Sequence, residues 1–141
     1  MDCVFCKIVS GEIPSVKVYE DDTAFAFMDI NPLNDGHLLV IPKTHASTIH
    51  EITEADFVAV MSATHKLAAA VQKALNPEGI NLMQLNGRAA NQVVPHLHVH
   101  IVPRWSGDGL SICKWKPMAG KMEKIEEVAE RIRSQMGNLK S

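Results

Sequence analysis

Apolar residues follow a helical spacing in two long segments of this 141-residue chain. The first begins at a cap residue, Thr53, and runs to about Leu75, with apolar side chains at three- and four-residue steps. The second is an amphipathic segment from about Lys121 to Met136. Near the start, Phe5 to Val9 predicts a short helix that ends at the Ser10-Gly11 pair.

Short apolar runs bounded by turn-forming residues predict five strands. Four of these runs are Val16–Glu20, Thr23–Ile30, His37–Pro42 and Gly79–Asn86, and the fifth is the segment VVPHLHVHIVPR, Val93–Arg104. No linker or internal repeat divides the chain, so we predict one α+β domain over residues 1–141. Its core is expected over about residues 3–110, followed by a C-terminal segment and helix over 111–141.

The fifth run carries an alternation of histidine and aliphatic residues. His96, His98 and His100 alternate with Leu97, Val99 and Ile101. Since successive side chains of a strand point to opposite faces, the three histidines are expected on one face and the aliphatic residues on the core face. A single histidine there is most simply a partly exposed residue of no special role, but three in register favour a functional site.

Two kinds of ligand could explain this row of histidines, a metal ion or an anion. Histidines two positions apart can bind a catalytic zinc ion, but three along a straight strand spread over about 13 Å, too far for bonds near 2 Å. An extended anion fits such a row better. The preceding loop, NGRAANQ, offers amide donors and small residues that let backbone N–H groups approach a ligand. We therefore predict a phosphate site, although no P-loop or dinucleotide fingerprint is present.

The cysteines suggest a second site. Cys3 and Cys6 form a Cys-x-x-Cys pair, which indicates a metal clip, a redox couple or two core thiols. Three cysteines, an odd number, are typical of a reducing compartment. The third, Cys113, is expected to be an ordinary buried or interfacial residue.

Composition excludes several classes of protein. Apolar residues make up 46% and charged residues 21%, which is ordinary globular usage, and the net charge is -2. This charge gives no general attraction to nucleic acid or an anionic membrane, so neither is an expected partner. Because no apolar run reaches membrane-spanning length and the first residues lack a signal-peptide pattern, we expect a soluble, cytoplasmic protein.

Taken together, these segments resemble the histidine triad (HIT) family of nucleotide hydrolases and transferases. The signature is the alternation from His96 to Val102, and FCKIVSGEIPSVKVYEDD and FMDINPLNDGHLLVIPKTH precede it in the family's order. The resemblance implies a HIT fold, an antiparallel sheet with one long and one C-terminal helix, in a homodimer whose sheets join. It also implies that the segment with Trp105 and Trp115 completes the partner's site, with a surface loop as the alternative.

The same resemblance implies how catalysis proceeds. His98 is the nucleophile that attacks the α-phosphorus of a purine nucleotide, giving a transient nucleotidyl-histidine that water cleaves. The catalytic set implied by the family is His98 with His37, His96 and His100. Further phosphate donors implied are Asn86, Gln92 and the backbone N–H groups near Val93, whose own side chain lacks the hydroxyl that many relatives carry there.

The resemblance also implies a nucleoside pocket. Asp29 accepts hydrogen bonds from the ribose hydroxyls. The residues that wall the purine are Phe5, Ile8, Ile13, Phe27, Ile30 and Leu38. The alternative is that all of these residues except Asp29 are plain core.

A structural zinc ion and a choice of substrates complete the family expectations. The zinc ligands implied are Cys3, Cys6, His45 and His96, which close a tetrahedron and leave no position for a substrate; no organic cofactor is expected. The segment DGHLLVIPKTH resembles the Hint branch, which acts on nucleoside phosphoramidates and aminoacyl adenylates. HIVPRWSGD is similar to the Fhit branch, which cleaves dinucleoside polyphosphates. A zinc hydrolase that uses the triad, and a nucleotide-binding regulatory module with little turnover, stay open as further alternatives.

Overall fold

The structure is a computed structural model that describes residues 2–139. The chain divides into two compact units, one that ends at Leu110 and one that begins at Ser111. The first unit contains an antiparallel sheet, two α-helices and a short 3₁₀ helix, Arg88–Ala90. The second contains one α-helix.

Five antiparallel strands form the sheet of the first unit. They are β1 (Lys17–Glu20), β2 (Ala24–Met28), β3 (Leu38–Pro42), β4 (Gly79–Gln84) and β5 (Val99–Arg104). Their order across the sheet is β1-β2-β3-β5-β4. The predicted α+β class with an antiparallel sheet is therefore confirmed, and the strands are shorter at their ends than the sequence runs that predict them.

The helices of the first unit begin and end where capping residues stand. In α1 (Val4–Ser10) the Cys3 thiol accepts a hydrogen bond from the Cys6 N–H, and the helix ends at Gly11, whose φ of 83° suits glycine. In α2 (Glu54–Leu75) the Thr53 hydroxyl caps the helix by accepting from the Asp56 N–H. The helical period of the sequence thus locates α2 to within a residue at each end.

The two faces of the sheet bury two separate cores. One face packs on α2, where Leu38 and Val40 of β3 meet Val60 and Leu67 of the helix. On the opposite face, Phe5 of α1 lies in a cluster with Phe25, Phe27, Leu39 and Ile41. Because side chains alternate along a strand, each of β2 and β3 contributes to both cores. Burying one such aliphatic or aromatic side chain contributes about 1.5–3 kcal/mol.

The structure corrects the prediction that all three histidines lie in one straight strand. Strand β5 begins at Val99, so only His100 of the three is in it. The ladder with β3 covers only Val99 to Ile101, and the N–H of Leu97 instead donates to the carbonyl of Ala46 at 2.7 Å. The bend separates His96 from the other two histidines, although the aliphatic residues between them stay in the core.

The second unit is described by its helix, α3 (Met122–Met136), which matches the predicted segment closely. Its apolar side chains Met122, Ile125, Ile132 and Met136 are exposed. Cys113 is exposed too, which contradicts the prediction of a buried residue and leaves an interfacial role as a prediction. Within residues 2–139, no helix combines the length and the apolarity that crossing a bilayer would take.

Candidate functional site

A cavity of about 450 Å³ lies on the α1 face of the sheet. This volume is in the range of small-molecule sites. Six predicted nucleoside-pocket residues line it: Phe5, Ile8, Ile13, Phe27, Asp29 and Ile30. His98 and His100 reach it from the segment around the start of β5, and Val93 reaches it from the preceding loop. The cavity is therefore apolar over most of its wall, with histidines and one carboxylate as its chemical groups.

Leu38 is a correction to the predicted wall. Its side chain is 2% exposed and lies in the core against α2, on the face of the sheet away from the cavity. The neighbouring residue, Leu39, lines the cavity in its place. The sequence does carry a signal for this, since Leu39 is two positions from His37 and therefore shares its face, whereas Leu38 does not.

One ring nitrogen of His98 is held by the backbone. Its Nδ1 lies 2.7 Å from the carbonyl oxygen of His96, and because a carbonyl oxygen can only accept, Nδ1 carries the proton. The other nitrogen, Nε2, therefore keeps its lone pair. The ring is 5% exposed and lies edge-on to Phe5. Burial lowers the pKa of His98, which keeps this ring neutral at neutral pH.

A chain of hydrogen bonds fixes the protons of His37 and His100 as well. The Leu33 N–H donates to Nδ1 of His37 at 3.0 Å, so the proton of His37 is on Nε2. This Nε2 lies 3.0 Å from Nδ1 of His100 and donates to it. His100 is left with its own proton on Nε2. Burial lowers the pKa of His37 and lowers that of His100 to about 4, so both rings are neutral hydrogen-bond donors.

Asp29 lies beside this pair of histidines. Its Oδ2 is 3.7 Å from Nε2 of His37, and its Oδ1 accepts from the Asn31 N–H at 2.8 Å. The carboxylate lines the cavity with its side chain 21% exposed. It therefore presents an acceptor to the cavity, which is what a hydroxyl-bearing ligand such as a ribose requires.

The structure places Asn86 and Gln92, two of the predicted phosphate donors, in hydrogen bonds with the protein itself. The Gln92 amide group donates to the carbonyls of Ser47 and Val94, and its oxygen accepts from the Gly87 N–H. Asn86 accepts from the Ile49 N–H and pairs with the amide of Gln84. Neither side chain lines the cavity, so both hold the loop in place. Of the predicted donors in this loop, Val93 alone reaches the cavity.

A second cluster gathers the four predicted zinc ligands. Sγ of Cys3 and Sγ of Cys6 lie 3.4 and 3.5 Å from Nδ1 of His96. Nδ1 of His45 lies 3.4 Å from Sγ of Cys6 and 3.2 Å from Nδ1 of His96. All four ligand atoms are within 4.8 Å of one another, and Cys3 and His96 are buried. The chain brings together from three distant segments the set that the family resemblance implies.

The geometry and chemistry of this cluster fit a zinc ion. In a tetrahedral site with bonds of about 2.0–2.3 Å, ligand atoms are separated by roughly 3.3–3.8 Å, close to the distances found. His96 donates from Nε2 to the carbonyl of Pro42 at 2.8 Å, which turns the lone pair of Nδ1 toward the other three ligands. Burial lowers the pKa of His96 to about 4, which keeps the ring in the neutral form that binds a metal.

The alternative of a zinc ion held by His96, His98 and His100 together does not fit this arrangement. Within residues 2–139, the groups of close ligand atoms are the cluster above and the trio Asp29, His37 and His100. The contact between His37 and His100 is the hydrogen bond already described. Since His96 faces the cysteines and His98 does not join either group, the triad does not converge on one ion.

The sequence matches a known protein family over most of its length. The HIT domain family profile matches residues 10–107, which is more than half of the chain. The chain therefore belongs to the HIT domain family, as the histidine alternation predicts.

Two solved structures and one curated relative are close over nearly the whole chain. A HIT family protein from Bacillus subtilis superposes with a TM-score of 0.91 at 40% identity, covering 100% of this chain and 99% of that one. A zinc-bound histidine triad family protein from Mycobacterium smegmatis gives 0.75 at 34% identity, covering 98% and 97%. The adenosine 5′-monophosphoramidase of Schizosaccharomyces pombe is 41% identical, over 96% of this chain and 99% of that protein.

Proposed function

We propose that this protein is a nucleotide hydrolase that cleaves the bond between the α-phosphorus of a purine nucleoside phosphoramidate, or a similar nucleotide, and its leaving group. The observation that carries the proposal is His98 itself. Its Nδ1–H is held by a backbone carbonyl, which leaves the lone pair of Nε2 available in a ring that lines an apolar cavity. A neutral imidazole held in this way is a competent nucleophile.

In the first step, Nε2 of His98 attacks the α-phosphorus and a P–N bond forms. The bond from phosphorus to the leaving group breaks, and the leaving group departs with that electron pair and takes up a proton from water. The Nε2–H of His100 donates to the charge that develops on the phosphoryl oxygens, and the low pKa of this ring keeps it a neutral donor. Such prepositioned donors supply most of the rate in phosphoryl transfer.

In the second step, water attacks the same phosphorus and the bond to His98 breaks. The electron pair returns to Nε2, water supplies the oxygen of the new phosphate group and one proton is released. The products of both steps are the nucleoside monophosphate and the protonated leaving group, and His98 is restored to its starting tautomer.

The nucleoside half of the substrate is assigned to the apolar cavity. Phe5 and Phe27, with ring centroids 5.3 Å apart, offer aromatic surface to a base, and Asp29 offers an acceptor to the ribose. The phosphoramidate class is supported by the name of the Schizosaccharomyces pombe relative. Dinucleoside polyphosphates are the second class to test, although Arg104 and Asp108 of the Fhit-like segment bond to each other and do not line this cavity.

We further propose that Cys3, Cys6, His45 and His96 hold a structural zinc ion. The four ligands leave no open position, so the ion would tie α1 to the segment before β5 without touching the substrate. The zinc-bound relative from Mycobacterium smegmatis supports this assignment. The homodimer, the cytoplasmic location and a single domain over residues 1–141 remain predictions.

The test is a substrate panel with a matched pair of histidine variants. Wild type, His98→Ala and His65→Ala, which removes an exposed histidine of α2, are mixed with an adenosine phosphoramidate and separately with a diadenosine polyphosphate. We expect AMP release from the phosphoramidate by wild type and His65→Ala only. Rapid quenching and intact-mass measurement are expected to show one adenylyl group on wild type during turnover. Tight AMP binding with no turnover of either substrate would replace the hydrolase with a nucleotide-binding module.

A further inference from the structure

The turn after β5 is closed by an ion pair between two residues that do not line the cavity. Arg104 and Asp108 bond through two pairs of atoms, Nε to Oδ2 at 2.8 Å and Nη2 to Oδ1 at 3.0 Å. The Asp108 side chain is 9% exposed and also accepts from the backbone N–H groups of Trp105 and Leu110. A bidentate pair with this many further bonds is a rigid group, unlike an ordinary surface ion pair.

Asn34 connects this turn to a second loop. Its amide group donates to Oδ2 of Asp108 at 3.2 Å and to the carbonyl of Pro103 at 3.1 Å. Asn34 lies in the segment between β2 and β3, 69 residues or more from either partner. Gly36 in the same segment has φ +87°, and a Cβ there would overlap Leu75 and Pro103. The loop is therefore bonded to the turn through Asn34 and packed closely against β5 and α2 at Gly36.

The loop that Asn34 anchors also determines which ring nitrogens of His37 and His100 carry a proton. Leu33, the residue before Asn34, donates from its backbone N–H to Nδ1 of His37. The carbonyl of Asn34 also accepts from the His37 N–H at 3.2 Å. A shift of the loop would weaken the hydrogen bond that keeps the His37 proton on Nε2, and with it the bond from His37 to His100.

We propose that Asn34, held by the Arg104–Asp108 pair, is a positioning residue for the His37–His100 pair. Through the Leu33 N–H it keeps the proton of His100 on Nε2, where it can donate to the phosphoryl group. The PRWSGD segment, which resembles the Fhit branch, would then act on the site through Asn34 without contacting the substrate. This role rests on the proposed function for its effect on turnover, but its effect on the histidine tautomers is independent of any substrate.

The test compares Asn34→Ala with Ser106→Ala. Ser106 is in the same turn and bonds to Glu78, and it has no part in the bonds to Asn34. In the substrate-free protein we expect the imidazole nitrogen chemical shifts of His100, measured by NMR, to report one tautomer in wild type and Ser106→Ala. Asn34→Ala is expected to give a mixture of tautomers. For turnover we expect a loss of roughly tenfold in kcat with KM nearly unchanged, since positioning of a donor acts on the transition state.

A third variant, Asn34→Ser, keeps a short donor and is expected to recover part of the wild-type tautomer preference and kcat. Unchanged His100 signals and unchanged kcat in a folded Asn34→Ala protein would overturn the proposal. A fall in thermal stability with those two quantities at their wild-type values would overturn it too, because it would mean that Asn34 is only structural. If wild type lacks turnover, the proposed function fails, and the NMR comparison still decides the positioning role.

Discussion

His96 and His98 stand two residues apart, yet His96 lies in the cysteine–histidine cluster and His98 lines the cavity. His96 donates from Nε2 to the carbonyl of Pro42 and turns Nδ1 toward two cysteines. His98 donates from Nδ1 to the carbonyl of His96 and keeps Nε2 for the cavity. The residue type is the same, and the backbone carbonyl that accepts a hydrogen bond from one ring nitrogen decides which nitrogen keeps its lone pair. The proposed roles of metal ligand and nucleophile therefore need no difference between the two side chains.

The largest expected effect distinguishes the cavity that contains His98 from the cluster that contains His96. His98→Ala is expected to lower kcat for the phosphoramidate by about 10⁴-fold or more, because no other group replaces the nucleophile. Zinc content, measured by elemental analysis of the purified variant, is expected to match wild type. Loss of zinc together with turnover would break the comparison, since it would mean that the two sites are one.

Leu38 and Leu39 test which face of β3 lines the cavity. Leu38→Ala is expected to lower the free energy of unfolding by about 2–5 kcal/mol, because it leaves a hole in the core against α2. Leu39→Ala removes a cavity wall and is expected to raise KM for the nucleotide as well. Denaturant unfolding and steady-state kinetics on both variants check this, and a larger KM effect from Leu38→Ala would contradict the assigned faces.

In the cysteine–histidine cluster, His45→Ala removes one proposed zinc ligand. We expect at least about 100-fold weaker zinc binding, or ~2.7 kcal/mol, in a competition titration with a chelator. Thermal stability is expected to fall because the tie to α1 is weakened. His50→Ala, an exposed histidine five residues further on, is the matched control. Equal zinc affinity in the two variants would remove His45 from the cluster.

The smallest expected effect is on the pH dependence of stability, and it is tested at His100 in the cavity. Because burial lowers the pKa of His100 from 6.5 to about 4, the unfolded chain binds more protons than the folded protein between these values. Stability therefore rises with pH through this window and is lost as pH falls, by about 2 kcal/mol for a partly exposed ring. His100→Gln is expected to flatten that slope in unfolding measurements from pH 7 to pH 4. An unchanged slope would mean that the protonation of His100 does not contribute to it.

Much of the fold and part of the site could be predicted from local sequence. The period of apolar residues locates α2, because Thr53 and Asn76 cap it where the period begins and ends. The alternation of histidine with aliphatic residues identifies the family and the face that carries chemistry. The Cys-x-x-Cys pair, with the family resemblance, selects the four residues that the structure brings within 4.8 Å of one another.

The remaining features depended on contacts between distant segments. The predicted amide donors Asn86 and Gln92 are engaged by the backbone of Ile49 and Ser47, about 40 residues earlier in the chain. The start of β5 depends on where β3 stops pairing with it, and the role of Asp108 depends on Asn34, 74 residues away. No local pattern encodes such partners.

By itself, then, the sequence determined which residues share a face within each regular strand or helix, since side-chain direction there follows from short-range backbone geometry. Only the tertiary structure decided which nitrogen of each histidine is protonated and what it faces. A tautomer depends on the single donor or acceptor within hydrogen-bonding distance, and for His96 that acceptor is Pro42, 54 residues away. The spacing of residues along the chain does not predict that His96 and the carbonyl of Pro42 lie within hydrogen-bonding distance.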